Sequence, residues 1–191
     1  MSSLMESWPR KHRITVDEYY RMAEVGLLAP DARVELIDGE IIDMAPLGTR
    51  HSRAVDKLTE LFVTAARGRA IVRIQGAILL DPTCMPQPDM ALLAPSEDEY
   101  GNAHPGPADI LLLLEVSEST LRYDLDVKVP LYARHGIRET WIVDLKGEVL
   151  RWYRSPRDGT YTDHGIVSKS GVIAPAALPD IAVELASILP R

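Results

Sequence analysis

Apolar positions along this chain alternate between helical and two-residue spacing, and each switch marks an element. The stretch "ITVDEYYRMAEVGLL" predicts a helix, with Thr15 as N-cap, Glu18 at the capping-box position and Gly26 as the stop. In "RVELIDGEIIDM" two alternating apolar runs surround Asp38-Gly39, which predicts a hairpin with Glu35 and Glu40 flanking its turn. Helical spacing returns in "RHSRAVDKLTELFVTAARG", where Ala54, Val55, Leu58, Leu61, Phe62 and Ala65 form one face and Gly68 fits a C-cap. This helix is expected to pack on a sheet.

Three strand candidates follow, "AIVRIQGAILL", "QPDMALLA" and "DILLLLEVS", with the polar, Pro- and Gly-rich "PSEDEYGNAHPGP" as an exposed loop before the last. A short helical segment ending at His135-Gly136 leads to "ETWIVDL" and "EVLRWYR", a hairpin turning at Lys146-Gly147. The segment "IAVELASIL", with Asp180 as N-cap, predicts a closing helix. The alternation of helices and strands, without an interior linker or internal repeat, describes a mixed α/β or α+β fold. It is expected to be a single domain over residues 1–191, with 1–13 as a flexible lead-in.

Composition narrows this little. At 191 residues, 46% hydrophobic and 26% charged, the chain is ordinary globular material with enough length for one full core. Its single cysteine, Cys84, excludes an internal disulfide and a multi-cysteine zinc site. The N-terminal stretch lacks the apolar core of a signal peptide, and no apolar run is long enough to span a bilayer, so a cytoplasmic protein without membrane contact is expected. The formal net charge of −7 argues against a large nucleic-acid footprint but leaves room for a local basic patch.

Chemistry concentrates where the leucines end. "LLLLEVSEST" carries Glu115 directly after the most hydrophobic run of the chain, where an uncompensated charge is costly. By the two-residue period Glu115 shares a face with Leu111 and Leu113. One strand earlier, Asp89 opens another apolar run, so neighbouring strands would bring two carboxylates to one sheet edge. Such a pair is tolerated when it shares a proton, when a basic group intervenes, or when a hard cation such as Mg²⁺ or Mn²⁺ sits between. The plainer alternative is that each carboxylate caps a strand end or pairs with an arginine.

Downstream, Leu121, Leu125, Lys128 and Tyr132 fall on one helical stripe of "LRYDLDVKVPLYARHG", which turns Lys128 toward something negative. An Asp124–Lys128 surface pair is the competing account, and Pro130 requires a first turn or a kink. Gln75 and His51 are lesser candidates, His51 being expected as an ordinary exposed histidine, and His135 as a complement to a helix C-terminus.

"VELIDGEIIDM", "QPDMAL", "LLLEVSEST" and "DLDVKVPLYARHGIRETWIVD", in that order, resemble the Uma-two family of restriction endonucleases within the PD-(D/E)XK nuclease superfamily. The resemblance runs from about Thr15 to Tyr153. It implies a restriction-endonuclease-like mixed sheet flanked by helices with additional β-hairpins, and a metal-dependent endonuclease acting on nucleic acid, DNA foremost. It further implies Mg²⁺ or Mn²⁺ held by Asp89 and Glu115, with Glu35 as an additional acidic residue and Lys128 as the catalytic lysine. The superfamily pattern places lysine two residues after the acid, where this chain has Ser117; in the Uma-two pattern the lysine comes from the following helix, as Lys128 does. A nuclease-fold binding module that no longer cuts is the alternative. Cutting both strands of a duplex is simplest for a homodimer, for which "ETWIVDLKGEVLRWYR" offers an apolar surface.

Overall fold

The computed structural model describes residues 10–190, which group into two compact units. Most of the lead-in expected over residues 1–13 lies outside the described residues.

The smaller unit takes the chain up to Met44 together with Asp81–Met85. Its helix α1 (Val16–Glu24) begins with the expected capping box, in which the Thr15 side chain accepts from the Glu18 amide and the Glu18 carboxylate accepts from the Thr15 amide at 2.8 Å. Strands β1 (Val34–Ile37) and β2 (Glu40–Asp43) form the expected antiparallel hairpin. Asp38 and Gly39 both have positive φ, 50° and 77°, as a primed two-residue turn requires. A side chain at Gly39 would also meet Arg13 Cβ at 2.5 Å, so only glycine fits there.

The larger unit covers 45–80 and 86–191 and is built on a six-stranded sheet. The strands are β3 (Ile71–Ile74), β4 (Met90–Leu93), β5 (Ile110–Ser117), β6 (Glu139–Asp144), β7 (Val149–Arg157) and β8 (Thr160–Ser168), adjacent in that order. Only β5 and β6 run parallel. Helix α2 (Thr49–Ala66) lays Ala54, Val55, Leu58 and Phe62 in one core with Met90, Leu92, Leu112, Leu114, Val116 and Trp141. Alternate leucines of β5 thus enter this core. Truncating Leu112 or Leu114 to alanine there should cost about 2–5 kcal/mol.

Between β5 and β6 the chain forms one broken helix: α3 (Leu121–Tyr123), a wide π turn (Asp124–Lys128) and α4 (Val129–Arg134). The Val129 amide reaches back five residues to the Asp124 carbonyl, directly before Pro130, whose ring would crowd the Asp126 carbonyl in a regular helix. This kink resolves the difficulty that Pro130 posed. It also moves the inward line: Asp124, Lys128 and Tyr132 are buried, while Leu125 is half-buried. An exposed Asp124–Lys128 pair is therefore excluded.

Three expectations need correcting. The closing helix is replaced by β10 (Val183–Glu184), paired with β9 (Val172–Ile173), and the four-residue α5 (Leu185–Ile188). Asp180 caps nothing there and instead pairs with Arg69 at 2.8 Å. The strand expected over 70–80 is confined to Ile71–Ile74, and Gln75 turns out of it with φ 48°. Finally, the 139–154 hairpin does not stand as a pair: β6 is buried throughout, and β7, mostly half-buried or exposed, pairs along its other edge with β8, a strand not expected from the sequence. The edge strands of this sheet are β3 and β8. Among the described residues no helix is long and apolar enough to cross a membrane.

Candidate functional site

The site grows from the register of β4 and β5. Met90 stands opposite Leu114, so the residue before β4 comes level with Glu115. There the two acidic residues interlock: the Asp89 amide donates to Glu115 Oε2 at 3.3 Å, and the Val116 amide donates to Asp89 Oδ2 at 2.8 Å. Both carboxylates are buried, with Glu115 only 3% exposed. A strand run with no polar residue before Glu115 leaves its compensation to other elements, and the broken helix provides it. Lys128 Nζ donates to Glu115 Oε1 at 3.1 Å, and the Tyr132 hydroxyl donates to the same oxygen at 2.5 Å.

Even so, the compensation is incomplete. Burial, with the charges of Asp89 and Asp124 adding to it against the opposing pull of Lys128, pushes the Glu115 carboxyl from its ordinary 4.5 up to about 8. Glu139, on the neighbouring strand, shows what a purely structural buried carboxylate looks like here. It accepts from Trp141 Nε1 at 2.7 Å, Arg154 Nε at 2.8 Å and the Ala176 amide at 2.6 Å, with no second carboxylate beside it in that set. Glu115 instead faces another acid.

Lys128 is held in place from below. Asp124, at the start of the π turn, accepts from Ser117 Oγ at 2.6 Å and from Thr120 Oγ1 at 2.8 Å. Ser117 stands where the superfamily pattern has its lysine; here it anchors the segment that delivers Lys128.

The sequence singled out Asp89, Glu115 and Lys128, and the fold brings these three together. Glu35 lies in the smaller unit, buried in β1, where its charge adds to the burial that pushes the Tyr19 hydroxyl up. His51 corrects an expectation: it is buried, not exposed, and its Nε2 lies 3.0 Å from Asp89 Oδ2. Its place in the first turn of α2, three residues before Ala54 on the apolar face, was the available signal. Tyr132 was visible only as one position of the Lys128 stripe. Gln75 donates its amide to the Asp89 carbonyl at 3.1 Å. His135 Nδ1 sits 2.9 Å from the Leu131 carbonyl, at the C-terminal end of α4.

The family model described as "Putative restriction endonuclease" (Uma2) matches residues 16–186. The chain belongs to this family. Among solved structures, the crystal structure of a "putative nuclease" from Anabaena variabilis superposes with a TM-score of 0.71 over 92% of this chain and 97% of the other, at 14% identity. At that identity the likeness establishes a shared nuclease-like fold. No curated protein matches the chain.

Nucleases of the superfamily to which these motifs point hold a divalent metal, so the donor set has to be judged against one. Among the described residues no group of three or more His, Cys, Asp or Glu side chains that could hold a metal ion is present. What is present is two adjacent carboxylates, and Asp89 Oδ1 accepts no hydrogen bond from any described residue. Magnesium and manganese ions suit such a set, because they keep several waters and bind through one or two carboxylates completed by phosphate oxygens.

Proposed function

We propose that this chain is a metal-dependent endonuclease that hydrolyses phosphodiester bonds in DNA, with Mg²⁺ or Mn²⁺ held by Asp89 and Glu115. The observation that carries the reading is the buried Asp89–Glu115 pair with Lys128 on Glu115 Oε1. Two carboxylates at this distance from water are an expense that a purely structural site avoids, as Glu139 does. A bound divalent cation would neutralise the pair, lower the pKa of a coordinated water and screen charge on the phosphodiester.

The roles of the chain's own groups follow from their contacts. Asp89 offers Oδ1, while its Oδ2 accepts the Val116 amide and lies 3.0 Å from His51 Nε2. Glu115 is held by Tyr132 and Lys128 in one orientation. The Lys128 ammonium, on Glu115 Oε1, would orient the attacking water and stabilise charge on the phosphate. Glu35 we assign as the additional acidic residue of the site, from its match to the family pattern. Two copies acting together would cut both strands of a duplex.

The test is incubation of the purified protein with plasmid and single-stranded DNA in Mg²⁺ or Mn²⁺. Nicked and linear products that disappear on chelation or in Asp89→Asn support the proposal. Metal binding without cleavage of any nucleic acid points to the binding module, a reading favoured by the net charge of −7.

A further inference from the structure

His51 is a member of the buried group that neither the family pattern nor the carboxylate chemistry called for. Its side chain is 9% exposed and sits 3.0 Å from Asp89 Oδ2. Its other ring nitrogen, Nδ1, is buried with no hydrogen-bond partner among the described residues. A buried histidine that served only packing would be replaceable by an apolar ring, and one that served as a general polar filler would satisfy both nitrogens. This residue brings one nitrogen close to Asp89 and leaves the other unused. Its polar contact is thus to one oxygen of one carboxylate.

The consequence lies at Asp89. Oδ2 already accepts the Val116 amide at 2.8 Å, a backbone donor that fixes how far the carboxylate can swing in the plane of the sheet. His51 approaches the same oxygen from α2, on a different element. One backbone donor and one close ring nitrogen, from two elements, restrict the rotation about Cβ–Cγ, which together with the Cα–Cβ rotamer sets where Oδ1 points.

We infer that His51 is a positioning residue: it fixes Asp89 through Oδ2 so that Oδ1 is presented to a divalent cation. The inference rests on the metal-binding reading above and adds to it a residue on α2.

The experiment is calorimetric titration of Mn²⁺ into the wild-type chain, His51→Phe and His51→Gln, each checked for fold by circular dichroism. Phenylalanine keeps the ring volume and removes the donor; glutamine places an amide N–H near the position of Nε2 while losing the ring. Mn²⁺ affinity is expected to fall about tenfold to a hundredfold in His51→Phe, and His51→Gln is expected to regain most of it. Wild-type affinity in His51→Phe, or a folded His51→Gln that binds no better than His51→Phe, overturns the inference while leaving the metal site standing. If His51→Phe does not fold, His51→Gln decides alone: retained affinity supports the role and lost affinity overturns it. A wild-type chain that binds no Mn²⁺ overturns the metal reading itself and this inference with it.

Discussion

Lys128 Nζ lies 3.1 Å from Glu115 Oε1, bridging a strand end and a helix thirteen positions downstream. The bond exists because the helix is broken: the π turn from Asp124 to Lys128 and the anchor from Ser117 to Asp124 bring the ammonium to the strand. A lysine two residues after the acid would have arrived on the strand itself. This chain reaches the same carboxylate by another route.

The elevated Glu115 carboxyl makes stability depend on pH. The folded chain keeps this proton up to about pH 8, whereas the unfolded chain releases it near 4.5. Between those values the native state binds more protons than the unfolded one, so the metal-free protein loses stability as pH rises through the window, by an amount on the order of a few kcal/mol. Below 4.5 both states are protonated and the contribution is flat. Glu115→Gln should abolish the slope, as read by urea midpoints at pH 5 and pH 8.

Asp89→Asn should leave the metal-free fold as stable as wild type or slightly more so. An amide oxygen still accepts the Val116 amide, and the repulsion with Glu115 is gone. Mn²⁺ binding should weaken in calorimetry. Marked destabilisation with unaltered metal affinity would identify Asp89 as a strand cap.

The Ser117–Asp124 anchor predicts a split between stability and geometry. Asp124→Ala leaves two hydroxyls without their acceptor and should cost about 1–3 kcal/mol in chemical denaturation. Asp124→Asn keeps an acceptor oxygen and should cost less. Cleavage should fall with the alanine variant more than its stability loss explains, because the π turn no longer holds Lys128 in register.

Much of this was legible in the chain. The capping box at Thr15 and Glu18, the Asp38-Gly39 turn and the α2 stripe are local codes, and the fold carries them as read except at the end of the stripe, where Ala66 and not Ala65 is buried. Asp89 and Glu115 were legible because a carboxylate beside an apolar run has to be compensated. His51 was not, since a histidine at a helix start looks the same whether α2's first turn meets solvent or a strand end. The β8 strand was missed although Asp158-Gly159, with φ of 50° and 77°, carries the same hairpin signal as Asp38-Gly39. Its residues alternate with too little apolar content to stand out, because β8 is the exposed edge. The closing segment failed for the opposite reason: "IAVELASIL" has helical spacing, but its buried Val183 is taken up by pairing with Ile173. Tertiary pairing there outweighs local propensity.

The lysine carries the central claim, and single-turnover cleavage of DNA in Mn²⁺ by wild type beside Lys128→Ala and Lys128→Arg tests it most directly. Wild type should cut. Lys128→Ala should be slower by about a hundredfold or more while keeping its fold and most of its Mn²⁺ affinity, because the carboxylate ligands remain. Lys128→Arg should recover little, since a planar guanidinium cannot replace a compact ammonium within the buried contact to Glu115. Cleavage by Lys128→Ala at the wild-type rate would contradict the account.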